Sequence, residues 1–107
     1  AMVGRFEVYL VNLDAESSKD AKNTRPCVVI SPNEMNANVS YVMIAPISAS
    51  QSNYPTRVPV ELLKNKRSII LDQIRTVDKH RLVKKIGEIE KDVQKQILER
   101  LQELFAD

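Results

Sequence analysis

Thr24-Arg25-Pro26-Cys27-Val28-Val29-Ile30-Ser31 is the stretch on which the fold turns. Val28, Val29 and Ile30 are β-branched and stiff at χ1, which suits a pleated sheet. A short apolar run closed by Pro26 on one side and Ser31-Pro32 on the other reads as a buried core strand. Pro26 fixes its own φ and pushes Arg25 out of the helical region. Arg25 therefore stands at the rigid mouth of a core strand, where a loop enters the fold. A long cation held there either faces an anion or caps the strand and pairs with a surface carboxylate, and the residues alone leave both readings open. Cys27, inside the apolar run, reads as a small buried hydrophobe rather than a nucleophile.

Other strands are expected around this one. Residues 6–12 carry Phe6, Val8, Tyr9 and Val11 and form the first; residues 39–46, with Tyr41, Val42, Met43 and Ile44, form another. Residues 57–60 make a short extended piece that Pro59, lacking an N–H, confines to a sheet edge. Residues 68–72 and 83–89 are further strand candidates. Between them, 13–23 and 48–55 are polar and read as loops, 32–38 as an Asn- and Pro-rich turn, 73–76 as a polar turn, and 78–82 as one helical turn. Val93, Ile97, Leu98, Leu101, Leu104 and Phe105 recur at helical spacing and predict a closing helix over 91–105. Several short strands followed by one helix predict a mainly β, single-domain chain with short helices, folded as a small, partly open β-barrel.

Composition narrows the function classes. Of 107 residues, 43% are hydrophobic and 28% charged, which is a globular balance. A chain this short buries only about two-thirds of its unfolded surface, so a homodimer would add stability. There is no apolar run of membrane-spanning length and no signal-peptide pattern. The lone cysteine suits a reducing cytoplasm. With Cys27 and His80 each the only one of its kind, a Cys/His metal site is excluded, and neither metal nor cofactor is expected. No glycine-rich phosphate loop or nucleophile elbow is present. The net charge of +2 hides an asymmetry: residues 64–85 hold eight basic side chains against Asp72 and Asp78, so the rest of the chain is acidic by four. That basic segment is either a polyanion-binding surface or a solvated face. Arg25, Ser48, Asp72, Gln73 and Arg75 fall at expected strand ends and suggest an anion site with a carboxylate nearby.

Five stretches, in order, resemble the MazF/PemK-like toxins of bacterial toxin–antitoxin systems. They are Gly4-Arg5-Phe6-Glu7-Val8-Tyr9-Leu10-Val11-Asn12-Leu13-Asp14, the Thr24–Ser31 stretch, Ala45-Pro46-Ile47-Ser48, Tyr54-Pro55-Thr56-Arg57-Val58-Pro59-Val60, and Leu71-Asp72-Gln73-Ile74-Arg75-Thr76-Val77-Asp78-Lys79. The resemblance spans nearly the whole chain. It implies an SH3-like barrel with added helices, working as a cytoplasmic homodimer. The implied function is a sequence-selective, metal-independent endoribonuclease that cuts single-stranded RNA and is neutralised by an acidic antitoxin. The implied catalytic residues are Arg25, Ser48 (where the family has threonine) and Asp72. Those implied to bind RNA are Lys19, Thr24, Arg57, Gln73, Arg75 and Lys79. This chain departs from some members by carrying Ile70 in place of an arginine and Lys19 near the place of a histidine. Two further readings stand beside it: a gyrase-poisoning, CcdB-like toxin on the same barrel, and a non-catalytic nucleic-acid-binding barrel.

Overall fold

The computed structural model describes residues 2–13, 24–50 and 54–106. Among these described residues, seven strands run antiparallel to their neighbours: β1 (Glu7–Asn12), β2 (Thr24–Val29), β3 (Tyr41–Ser48), β4 (Arg57–Leu62), β5 (Asn65–Ile70), β6 (Arg75–Asp78) and β7 (Leu82–Glu88). Their order is β4-β5-β3-β2-β1-β7, with β6 also on β3. A short helix α1 (Asn33–Asn38) follows β2, and α2 (Lys91–Phe105) closes the fold. Single 3-10 turns, Leu71–Gln73 and Lys79–Arg81, lie on either side of β6. The architecture is the expected one, a half-closed β-barrel with a C-terminal helix.

The apolar run of β2 is continuous because both faces of the strand are covered. Val28 and Ile30 enter one core cluster with Val8, Ala45, Ile47, Ile69, Leu71 and, from α2, Ile97. Cys27 and Val29 alternate into a second cluster with Val11, Val42, Ile44 and Val77. β3 is the hub. It pairs with β2 on one side, and on the other with β6 at its start and β5 at its end.

Four expectations need correction. Residues 75–78, read as the end of a polar turn and the start of a helical one, form β6, because Tyr41–Ile44 of β3 offer them a ladder. The 32–38 stretch holds helix α1, Asn33–Asn38, rather than a plain turn. Ser31 and Asn36 are both buried there: the Ser31 hydroxyl donates to Asn36 Oδ1, Asn36 Nδ2 donates to the Ser31 carbonyl at 2.9 Å, and the Met43 N–H donates to Ser31 Oγ at 3.1 Å. Buried polar partners, invisible in composition, hold this turn as a helix. β3 runs to Ser48, two residues beyond its expected end, because Ile47 and Ser48 find partners in β5. β5 starts at Asn65 rather than Ser68, because β4 and β5 form a tight hairpin around Leu63 and Lys64, at φ 50° and 68°. Those positive φ values match a type I′ turn, usually signalled by Asn or Gly. The edge position of β4 and the span of α2 are as expected.

Candidate active site

The β2–β3 ladder runs from Val29↔Ile44 through Val28↔Ala45 to Cys27↔Pro46 and stops. Pro26 and Pro46 both lack an N–H, so neither strand can donate to the other there. Continued for two residues, the same register would set Arg25 opposite Ser48. Instead β3 turns towards β5, pairing Ser48 with Ser68. The strands part, and a cleft of about 640 Å³ opens over their ends. Arg25, Ser48, Arg67, Gln73 and Arg75 line it together with both prolines. A neighbouring pocket of about 350 Å³ shares Ser48 and Gln73 and adds Ser50, Arg57 and Ile70.

The cleft is rich in unneutralised donors. Among the described residues, Arg25, Arg67 and Arg75 have no carboxylate partner. Arg25 is exposed, and one of its guanidinium nitrogens donates to the Thr24 carbonyl at 3.2 Å. The Ser48 hydroxyl accepts the Ser50 N–H at 3.1 Å, which leaves its own proton available for donation into the cleft. Arg67 is half-buried, with an Nε that is buried and meets no hydrogen-bond partner. Cys27 is fully buried beneath these groups; burial pushes its thiol up to about 12, against a smaller opposing pull from the Arg75 charge. It is no nucleophile at neutral pH.

The expected site residues separate into three groups. Arg25, Ser48, Gln73 and Arg75 come together in the cleft. Arg57 lines the neighbouring pocket, and Asp72, outside both linings, lies 3.7 Å from Arg57 Nη1, so its ion partner is Arg57 rather than Arg75. Thr24 is buried at the start of β2 opposite Asn12, and it lines neither space. Lys79 stands beyond β6, roughly 13 Å along the strand from Arg75; its ammonium donates to the Asn36 carbonyl. Lys19 lies outside the described residues. His80 is exposed on a 3-10 turn and belongs to neither pocket. Arg67 is the cleft residue that sequence reasoning passed over, since β5 was expected to begin after it and it counted only as one charge in a basic segment. The hairpin register would have found it: Leu62↔Asn65 places Arg67 opposite Val60 and inside the strand.

Comparison with known proteins agrees with this arrangement. The description "PemK-like, MazF-like toxin of type II toxin-antitoxin system" matches residues 4–105. An endoribonuclease MazF from Staphylococcus saprophyticus is 34% identical over 91 residues, covering 79% of this chain and 76% of that protein. The Mycobacterium tuberculosis toxin MazF-mt6 superposes with a TM-score of 0.78 at 19% identity, covering 92% of this chain and 95% of its own. The MazE–MazF structure from Deinococcus radiodurans superposes with a TM-score of 0.79 at 18% identity, covering 99% and 97%. The structural likenesses, at such low identity, speak for the barrel, and the match over residues 4–105 speaks for descent: the chain belongs to the PemK-like, MazF-like toxins of type II toxin–antitoxin systems.

Proposed function

We propose that the protein is an endoribonuclease that cuts single-stranded RNA at selected sequences without a metal ion, arresting growth from within the cytoplasm. The observation that carries this reading is the meeting of Arg25 and Ser48 where the β2–β3 ladder opens, in a family with an endoribonuclease at 34% identity. In this scheme the substrate's 2′-oxygen attacks the adjacent phosphorus, the new O–P bond forms as the bond to the 5′-oxygen breaks, and charge gathers on the non-bridging oxygens. Arg25 offers those oxygens a planar fork of N–H donors, and Ser48 offers one O–H. Both are set before the reaction begins, which is how a protein stabilises charge that develops only in the transition state. Gln73 and Arg75 line the same cleft and position the flanking RNA. Asp72, held by Arg57 beside the neighbouring pocket, takes the 2′-OH proton, and the departing 5′-oxygen takes a proton from water. Some relatives carry an arginine at the Ile70 position; here Arg57 faces Ile70 across the β4–β5 ladder and brings a guanidinium to the same pocket.

The partner reading rests on the relatives. The Deinococcus structure is a MazE–MazF pair, and a mycobacterial endoribonuclease is known in complex with its cognate antitoxin. We read this chain likewise as a homodimer inhibited by an acidic antitoxin segment that covers the arginine-lined cleft and competes with RNA.

The deciding experiment incubates the purified protein with a long RNA in EDTA and sequences the ends. Expected are 2′,3′-cyclic phosphate and 5′-hydroxyl ends at a short unpaired motif, because paired A-form RNA hides its base edges. A 2′-deoxy substitution at the scissile nucleotide blocks the cut. A magnesium requirement, equal cutting of the motif within a stable stem, or inhibition of gyrase with RNA left whole would each replace this reading.

A further inference from the structure

We propose that Arg67 grips a second phosphate of the bound RNA, adjacent to the scissile one held by Arg25, so that a good substrate spans at least two phosphodiesters. This rests on the ribonuclease reading and adds to it a residue that the sequence pattern did not single out.

Side chains alternate along a strand, so residues two apart share a face. Arg67 shares its face with Ile69, which lies in the core cluster under α2. Arg25 shares its face with Cys27, which lies in the other cluster. The two arginines thus belong to opposite faces of the sheet, yet both line one cleft because it sits over the parting strand ends. Their strands flank β3 on either side and stand on opposite margins of the opening. A phosphate forked by Arg25 and bonded by Ser48 is approached from one face only; the Arg67 guanidinium comes from the other and meets the next phosphate along the strand.

The state of Arg67 fits such a role. Its Nε is buried without a partner, and no carboxylate among the described residues neutralises it. A buried donor with no acceptor is disfavoured until one arrives, and an anion with several free oxygens is a suitable acceptor. Among the described residues, the cleft around it holds two further arginines and no acidic wall residue, which suits a ligand anionic on more than one group.

The test uses an uncleavable oligoribonucleotide carrying the recognised motif, with 2′-deoxy at the scissile position and each phosphate replaced in turn by a neutral methylphosphonate. In the wild type, replacing one phosphate next to the scissile one should weaken binding about tenfold. Arg67→Ala should bind about tenfold more weakly and be indifferent, within about twofold, to that same replacement, while remaining sensitive to replacement of the scissile phosphate. The slope of log K against log salt should fall by about 0.7, the release expected for one single-strand phosphate contact. On cleavable RNA, KM should rise with kcat within about threefold, and Arg67→Lys should recover the salt slope. Arg67→Met keeps the side-chain stem and gives the same reading if Arg67→Ala folds poorly. Wild-type affinity in a natively melting Arg67→Ala, or lost sensitivity at the scissile phosphate itself, would overturn the assignment. A wild type that neither binds nor cuts RNA would overturn it through the ribonuclease reading, a failure visible before any variant is made.

Discussion

Arg25 is exposed, and its guanidinium donates to the neighbouring Thr24 carbonyl, so cutting it back removes charge from the cleft without opening the core. Arg25→Ala should therefore melt like the wild type while cleavage falls by about 10²–10³, the usual loss for one transition-state donor. Arg25→Lys should also be slow, because a point charge does not reproduce the fork. Ser48→Ala should lose less, and Ser48→Thr should remain active, since the hydroxyl is kept. Rates of RNA cleavage read beside thermal melts check the series; full activity in Arg25→Ala would remove it from the catalytic set. At this scale the sequence was informative where a proline marked the position. Arg25 is legible because Pro26 follows it, and Ser48 because it follows Ala45-Pro46-Ile47. Arg67 was illegible because nothing in Lys64-Asn65-Lys66-Arg67 announces a strand.

Among the elements, α2 and β4 were legible, while the start of β5 and the whole of β6 were not. The helix declares itself by period: Ile97 is fully buried, Val93 and Leu101 are half-buried, and the spacing that makes them one stripe is visible in the chain. β4 declares itself through Pro59, which only an edge accommodates. β5 opens with Asn65, Lys66 and Arg67 after a turn whose left-handed residues are Leu63 and Lys64, so neither propensity nor turn chemistry gives it away. Tertiary pairing with β4 overrides both. Ile97 is also where α2 is most vulnerable. Ile97→Ala should cost about 2–5 kcal/mol, as large-to-small changes at closed core sites do. Urea unfolding measures this; a loss below 0.5 kcal/mol, typical of surface positions, would mean that the helix is not docked through Ile97.

At the scale of the whole molecule, the sheet ends where β1 meets β7, and a charge cluster ties that seam. The Glu7 carboxylate accepts the Gly4 N–H at 2.7 Å, the Tyr9 O–H at 3.0 Å and the Lys85 ammonium at 2.8 Å, and Lys85 also reaches Glu88 at 2.8 Å. Burial pushes the Glu7 carboxyl up, but the bonds from Lys85, Gly4 and Tyr9 outweigh it and hold it below its ordinary value of 4.5. A carboxyl depressed in the folded state stabilises fully above its unfolded value and loses that contribution as pH falls through the folded value. Stability should therefore decline on acidification below about pH 5 more steeply in the wild type than in Glu7→Gln, the gap closing by about 1 kcal/mol. Urea midpoints taken from pH 7 to pH 3 test this, and parallel curves for the two proteins would refute it.

The same seam bears on how the protein comes to exist. Glu7 pairs with Glu88, so the first strand waits for a partner that lies 81 residues further along the chain. At 5–20 residues per second a ribosome needs roughly 4–16 s to cover that distance. β1 can meet β2 well before then, but its outer side stays open until β7 emerges, and pairings of such long sequence separation are slow to form. Newborn copies thus pass through an interval of seconds in which the barrel lacks its last stave.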